Sequence, residues 1–145
     1  MTELPFRRVR PDARLPKAAH PGDAGLDLRA AEPAKVAPGQ RTMIPTGLAV
    51  AIPDGHAGLV LPRSGLASKQ GLTIANAPGL IDAGYRGEVI VAVVNLDHDQ
   101  SVTIEAGDRI AQLVVVALPE VEPSFVDELP DSHRGEGGFG SSGRD

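Results

Sequence analysis

The segments richest in chemically useful groups set arginine, hydroxyl and aromatic side chains beside glycine. Pro62-Arg63-Ser64-Gly65-Leu66-Ala67 directly follows an apolar run. A strand that enters Ser-Gly and a helical turn presents free backbone N–H groups, which suit phosphate oxygens. Arg63 and the Ser64 hydroxyl add donors, although a helix cap uses the same residues for structural reasons. Arg134-Gly135-Glu136-Gly137-Gly138-Phe139-Gly140-Ser141-Ser142-Gly143 is a second such stretch. Its backbone can wrap phosphates, Arg134 can bind them, and Phe139 can stack on a base. On composition alone the same stretch is a flexible tail.

Three further polar residues stand out by their settings. Asp82 lies in Pro78-Gly79-Leu80-Ile81-Asp82-Ala83-Gly84-Tyr85-Arg86-Gly87-Glu88, where glycines on both sides allow a tight reversal. The segment reads as a hairpin that holds a carboxylate near a phenol, or as an ordinary β-turn with Asp in a turn position. Asp27, in Ala24-Gly25-Leu26-Asp27-Leu28-Arg29-Ala30, sits on the strand face opposite its two leucine neighbours. It is either a solvated carboxylate or a metal-associated one. Gln112 interrupts the apolar run from Ile110 to Leu118, and a buried amide needs a partner, from a ligand or from backbone.

Positioning these groups falls to strands. Arg41–Ile52, Ala57–Leu61, Leu72–Ala75, Glu88–Leu96, Ser101–Ile104 and Arg109–Leu118 carry strand signals. Pro53-Asp54-Gly55, Asp97–Gln100 and Glu105–Asp108 supply turns between them. Short strands at near-regular spacing indicate a sandwich, jelly roll or barrel. The continuous apolar runs Val89–Val94 and Leu113–Val116 predict strands covered on both faces. Only Ser64–Gln70 offers a helical turn or two, with Ser64 as N-cap. Pro119–Asp131 is an acidic connector with one short strand expected near Ser124–Val126.

Composition narrows the class. The 17 Gly and 13 Pro among 145 residues make roughly 21%, against about 12% on average, which means many turns. The four aromatics, Phe6, Tyr85, Phe125 and Phe139, are too few to dominate a core, so Val, Ile, Leu and Ala must fill it. With no Cys there is no disulfide, thiol nucleophile or Cys-ligated metal; this fits a reducing, cytoplasmic setting. The four His, at 20, 56, 98 and 133, lack metal-ligand spacing. The N-terminal residues lack the apolar stretch of a signal peptide, and no stretch is long enough to span a bilayer. A net charge of -5 argues against general affinity for nucleic acid.

Taken together and in order, five segments resemble the motifs of the trimeric dUTP diphosphatase (dUTPase) family: AGLDLRA (24–30), PRSGLA (62–67), GLIDAGYRGEV (79–89), GDRIAQL (107–113) and RGEGGFGSSG (134–143). The resemblance covers essentially the whole chain. It implies an all-β, jelly-roll or β-clip type barrel over residues 1–133, with a flexible Gly-rich arm over 134–145 that closes on the site. It implies a homotrimer with active sites at subunit interfaces. One subunit would supply Asp27, Ser64 and Gln112, a second Asp82 and Tyr85, and the third its arm. The reaction implied is Mg²⁺-dependent hydrolysis of dUTP to dUMP and pyrophosphate.

By the same resemblance, Asp82 is the general base for water attacking the α-phosphorus. Arg63, Ser64, Gly65 and Gln112 hold phosphates, and Arg134 reaches the γ-phosphate. Asp27 contacts Mg²⁺ through water. Asn76, Leu80, Ile81 and Ile90 line the uracil and sugar site, Tyr85 packs under the deoxyribose, and Phe139, with Gly140 and Ser141, closes over the base. Arg109 fits a structural ion pair at a strand start at least as well as a phosphate role. The alternatives are a dCTP deaminase or bifunctional relative, which would carry a Glu in the third segment and lack the arm, and a catalytically silent nucleotide sensor.

Overall fold

The β-branched and aliphatic runs of the chain become its longest strands, as their preference for a pleated, half-buried surface requires. The computed structural model describes residues 3–143; Met1 and Thr2 of the leader reading, and Arg144 and Asp145 of the expected arm, lie outside the described residues. In chain order the elements are β1 (Phe6–Arg8), β2 (Leu26–Arg29), β3 (Ala34–Val36), β4 (Arg41–Val50), β5 (His56–Leu61), α1 (Ser64–Gln70), β6 (Leu72–Ile74), β7 (Gly79–Ile81), β8 (Glu88–Asn95), β9 (Val102–Ile104) and β10 (Arg109–Ala117).

Two four-stranded antiparallel sheets, ordered β1-β4-β8-β6 and β2-β10-β5-β7, form the jelly-roll-type body, with the small pair β3-β9 beside them. The core is aliphatic, built on Leu28, Ile44, Ile52, Leu72, Val91 and Leu113, with Phe6 packed half-buried against it. The expected turns form. His56 N–H donates to the Pro53 carbonyl at 3.1 Å, with Gly55 at φ 71°, and the Asp97 carboxylate accepts N–H groups of Asp99 and Gln100 at 2.8 and 2.7 Å.

Four expectations are corrected. First, residues 78–88 are not a paired hairpin. β7 ladders with β5, and β8 with β4 and β6, so the 82–87 segment arches from one sheet to the other. Ile81 and Val89 both point into the core, which places the two strands on opposite walls of it. Second, β8 is not covered on both faces: Val89, Val91 and Val93 are buried, while Ile90 is 47% exposed. Third, Arg63 and not Ser64 is the N-cap of α1, in extended backbone and without a side-chain cap bond. Fourth, no strand forms at 124–126. Phe125 and Val126 are exposed there, with no neighbouring strand of the chain to complete a ladder.

Candidate active site

Two separate grooves receive the polar residues that the motifs contain. The first, about 330 Å³, lies where β7 and the start of β8 diverge into their different sheets. Asn76, Leu80, Ile81, Asp82, Tyr85 and Ile90 line it, together with Met43. β7 is the last strand of its sheet, so its outer edge offers backbone N–H and C=O groups to the groove. Asp82 is exposed at the arch, where its carbonyl accepts the Tyr85 N–H at 3.0 Å. The Tyr85 hydroxyl donates to the Glu88 carbonyl at 2.9 Å. Gly87 makes this possible, because a Cβ there would fall on the phenol, 2.7 Å from its Cζ.

The second groove, about 420 Å³, is walled by Asp23, Gly25 and Asp27 on one side and by Arg63, Ser64, Gly65 and Gln112 on the other. The sheet sets this grouping: on β10, Gln112 stands opposite Asp27 of β2 and opposite Leu61 of β5. Gln112 finds its partner in backbone, donating from Nε2 to the Pro62 carbonyl at 3.1 Å. Gly25 has to be small, since a Cβ would meet the Gln112 carboxamide, 3.0 Å from Cδ.

The electrostatics of this groove centre on Asp27, whose side chain is only 13% exposed. Its Oδ1 lies 3.2 Å from Arg63 Nε and its Oδ2 3.2 Å from Arg109 Nη1. Asp27 is therefore not a solvated strand carboxylate but the anion between two guanidiniums. Arg109 takes the ion-pair role at its strand start, and the same carboxylate orients Arg63 along the groove wall.

No residue lines both grooves. Within one chain the fold thus gathers Arg63, Ser64, Gly65, Gln112 and Asp27, and separately Asn76, Leu80, Ile81, Asp82, Tyr85 and Ile90, without joining the two sets. Arg134, Phe139, Gly140 and Ser141 line neither groove and lie exposed in a run of tight turns. Arg134 Nε donates to the Gly137 carbonyl at 2.6 Å, and Phe139 takes a left-handed backbone, φ 47°. Sequence reasoning missed Met43 and Asp23 as groove residues. An apolar strand residue and a turn aspartate give no local signal of that role; only the sheet register and the His20–Asp23 turn place them there.

Residues 11–143 match the family model described as dUTPase. A Streptomyces avermitilis protein named deoxyuridine 5'-triphosphate nucleotidohydrolase is 56% identical over 147 residues, covering 99% of this chain and 84% of that protein. A Leifsonia xyli protein of the same name is 58% identical over 130 residues, covering 90% of this chain and 86% of its own length. Among solved structures, a variant of the Staphylococcus bacteriophage 80alpha dUTPase with dUpNHpp superposes with a TM-score of 0.92 at 35% identity, covering 99% of this chain and all of that one. A variant dUTPase from phage phi11 of S. aureus, described with a structural Mg(II) ion, gives 0.82 at 32% identity over 90% of this chain and 100% of its own. With the five motifs in order, the two grooves that they line, and similarity of this extent, the chain belongs to the dUTPase family.

Proposed function

We propose that this protein hydrolyses dUTP to dUMP and pyrophosphate. The observation that carries the reading is the sorting of the motif residues into one groove with a carboxylate and a phenol and another with an arginine, a hydroxyl and an amide. A nucleoside triphosphate needs both. Its base and sugar suit the partly apolar groove at β7, and its phosphates suit the groove at Arg63.

In the first groove the backbone edge of β7 reads uracil, with Asn76 beside it. Cytosine carries a donor where uracil carries an acceptor. Each mispaired buried group costs about 1–3 kcal/mol, so two such mismatches discriminate strongly. Tyr85 underlies the deoxyribose and leaves no room for a 2′-hydroxyl, while Leu80, Ile81 and Ile90 supply apolar contact. Asp82 accepts a proton from the water that attacks the α-phosphorus, and the α–β bridging oxygen leaves with pyrophosphate. In-line displacement of this kind depends mainly on positioning and charge neutralisation. Arg63, Ser64, Gly65 and Gln112 hold the phosphates. The arm, residues 134–145, brings Arg134 to the γ-phosphate and Phe139, Gly140 and Ser141 over the base, excluding water from the reacting centre.

The chain's residues fit Mg²⁺ in one manner only. Among the described residues no group of three or more His, Asp or Glu side chains gathers into a cage, and both oxygens of Asp27 face guanidiniums. That suits a cation that keeps several waters and is carried by the substrate's phosphates, with Asp27 reaching those waters. The ion supplies neutralisation of phosphate charge when bound.

The two grooves share no residue, and in this reading a homotrimer with interfacial sites sets a groove of one copy against that of another. The absence of Cys favours the cytoplasm, and no helix among the described residues is long and apolar enough to cross a membrane. The deciding experiment incubates the protein with Mg²⁺ and each nucleoside triphosphate and detects pyrophosphate. Release from dUTP alone is expected. Ammonia from dCTP, or no pyrophosphate from dUTP, overturns the reading.

A further inference from the structure

The start of β8 is bolted to an irregular stretch of β4. Pro45 stands opposite Ile90 and Ala49 opposite Glu88, so three residues of β4 bulge against one of β8. The Thr46 hydroxyl donates to the Val89 carbonyl at 2.7 Å. Gly47, at φ 72°, turns its N–H onto Glu88 Oε1 at 2.8 Å, while its carbonyl accepts N–H groups of Val9 and Arg10 at 2.8 and 3.2 Å. A Cβ at Gly47 would lie 3.0 Å from that of Ala13, so the bulge is closed from behind by the 10–13 segment. Arg10 completes the fastening: its Nε lies 3.3 Å from Glu88 Oε1 and its Nη1 2.8 Å from Glu32 Oε2. Both carboxylates hold the Arg10 guanidinium above its ordinary pKa, the Glu32 hydrogen bond contributing most.

The same residue whose carboxylate is anchored in this way presents its carbonyl to the Tyr85 hydroxyl at 2.9 Å. The phenol is otherwise 45% exposed and sits on a glycine, so little else within the chain fixes its angle. We infer that Glu88 and Arg10 are positioning residues for sugar selection: clamped in the β4 bulge, Glu88 offers a fixed carbonyl that sets the Tyr85 ring against the deoxyribose and thereby sets the rejection of ribose. The inference rests on the reading of Tyr85 as the sugar contact. Packing against an extra hydroxyl discriminates by roughly a hundredfold in other systems. A ring free to tilt away from the sugar gives up part of that factor.

The test compares kcat/KM for dUTP and UTP in the parent protein and in Glu88→Ala, Glu88→Gln, Arg10→Met, Tyr85→Phe and Tyr85→Ala. Glu88→Ala and Tyr85→Phe are expected to lower the dUTP:UTP ratio by about fivefold each, the equivalent of one ordinary hydrogen bond. Their double variant should lower it no further than the larger single effect, since both act through one contact. Glu88→Gln keeps an acceptor for Gly47 and should restore most of the ratio. Arg10→Met, at a half-exposed site that lines neither groove, should move it in the same direction and so keeps the test open if Glu88→Ala fails to fold. A merely structural role would lower activity on both nucleotides and leave the ratio unchanged. An unchanged ratio in folded Glu88→Ala or Arg10→Met, alongside a collapsed ratio in Tyr85→Ala, overturns the inference alone. An unchanged ratio in Tyr85→Ala overturns the sugar reading with it.

Discussion

Replacing Gly25 by alanine alters no group assigned to chemistry, yet it should damage the phosphate groove. Gly25 does not have the positive φ that would itself forbid a side chain, so backbone strain is not the issue. The new Cβ would fall on the Gln112 carboxamide, 3.0 Å from Cδ and closer still to Oε1. Gln112 is the flexible end of a long side chain, so it swings aside and gives up its 3.1 Å bond to the Pro62 carbonyl. That bond is worth about 1 kcal/mol. The loss is partly offset by the about 0.4–1 kcal/mol that Gly→Ala gains through the unfolded chain, so stability should change by less than about 1 kcal/mol. The functional loss is larger. A hydrogen bond to a charged group contributes about 1.5–3 kcal/mol, and kcat/KM for dUTP should therefore fall about 10- to 150-fold. Initial rates of pyrophosphate release, run beside urea unfolding of the same samples, read both quantities. If Gly25→Ala is folded and its kcat/KM lies within about twofold of the parent, Gln112 does not act on the phosphates. Adding Gln112→Ala to Gly25→Ala should cost little more than Gln112→Ala alone, because both changes remove the same amide.

Asp82→Asn should still bind dUpNHpp in calorimetry but lose turnover; turnover near that of the parent would remove Asp82 from the role of base. Truncation after His133 should abolish most activity while the oligomeric state by light scattering stays that of the parent, and near-normal rates would return the segment to the status of a tail. Asn95→Ala should cost about 2–4 kcal/mol in denaturant unfolding. The buried Asn95 amide donates to the Val36 and Gln100 carbonyls at 3.0 and 2.7 Å, and its oxygen accepts the Asp97 N–H at 2.9 Å; an unchanged midpoint would show that water replaces all three. The N–H groups of Gln100 and then Asp99 hold the Asp97 carboxyl below its ordinary pKa. The stabilisation from this carboxylate is thus complete above the usual carboxylate range and is lost as pH falls through the lowered folded value. The melting-temperature gap between the parent and Asp97→Asn should be constant near neutrality and close in acid. A gap that persists at the lowest pH would refute the assignment.

Much of the fold was legible because local rules govern it. Proline and glycine mark the turn at 53–55, alternation sends Leu28 inward from Asp27, and the scarcity of rings requires the aliphatic core that forms. The run Val89–Val94 shows where local rules stop: its composition predicts cover on both faces, yet Ile90 opens onto the first groove.

The motif segments were likewise readable, since glycine beside arginine, hydroxyl or carboxylate is a short-range pattern. What they do to one another was not. Asp27 and Arg109 stand 82 positions apart and meet only because β2 and β10 pair with Gln112 opposite Asp27. Glu88 and Gly47, 41 positions apart, meet through a bulge that no periodicity announces. The 78–88 segment shows the limit most clearly. Its residues specify a reversal, and a hairpin and an arch between sheets demand the same turn chemistry. Which of the two forms depends on whether β8 gains more by pairing with β7 or with β4 and β6, a comparison between distant strands that the turn itself does not contain. Composition and local pattern determined the longer strands, the turns between them and the candidate functional groups. The tertiary structure decided their partners, because side-chain pairing across a sheet is set by register between segments far apart in the chain.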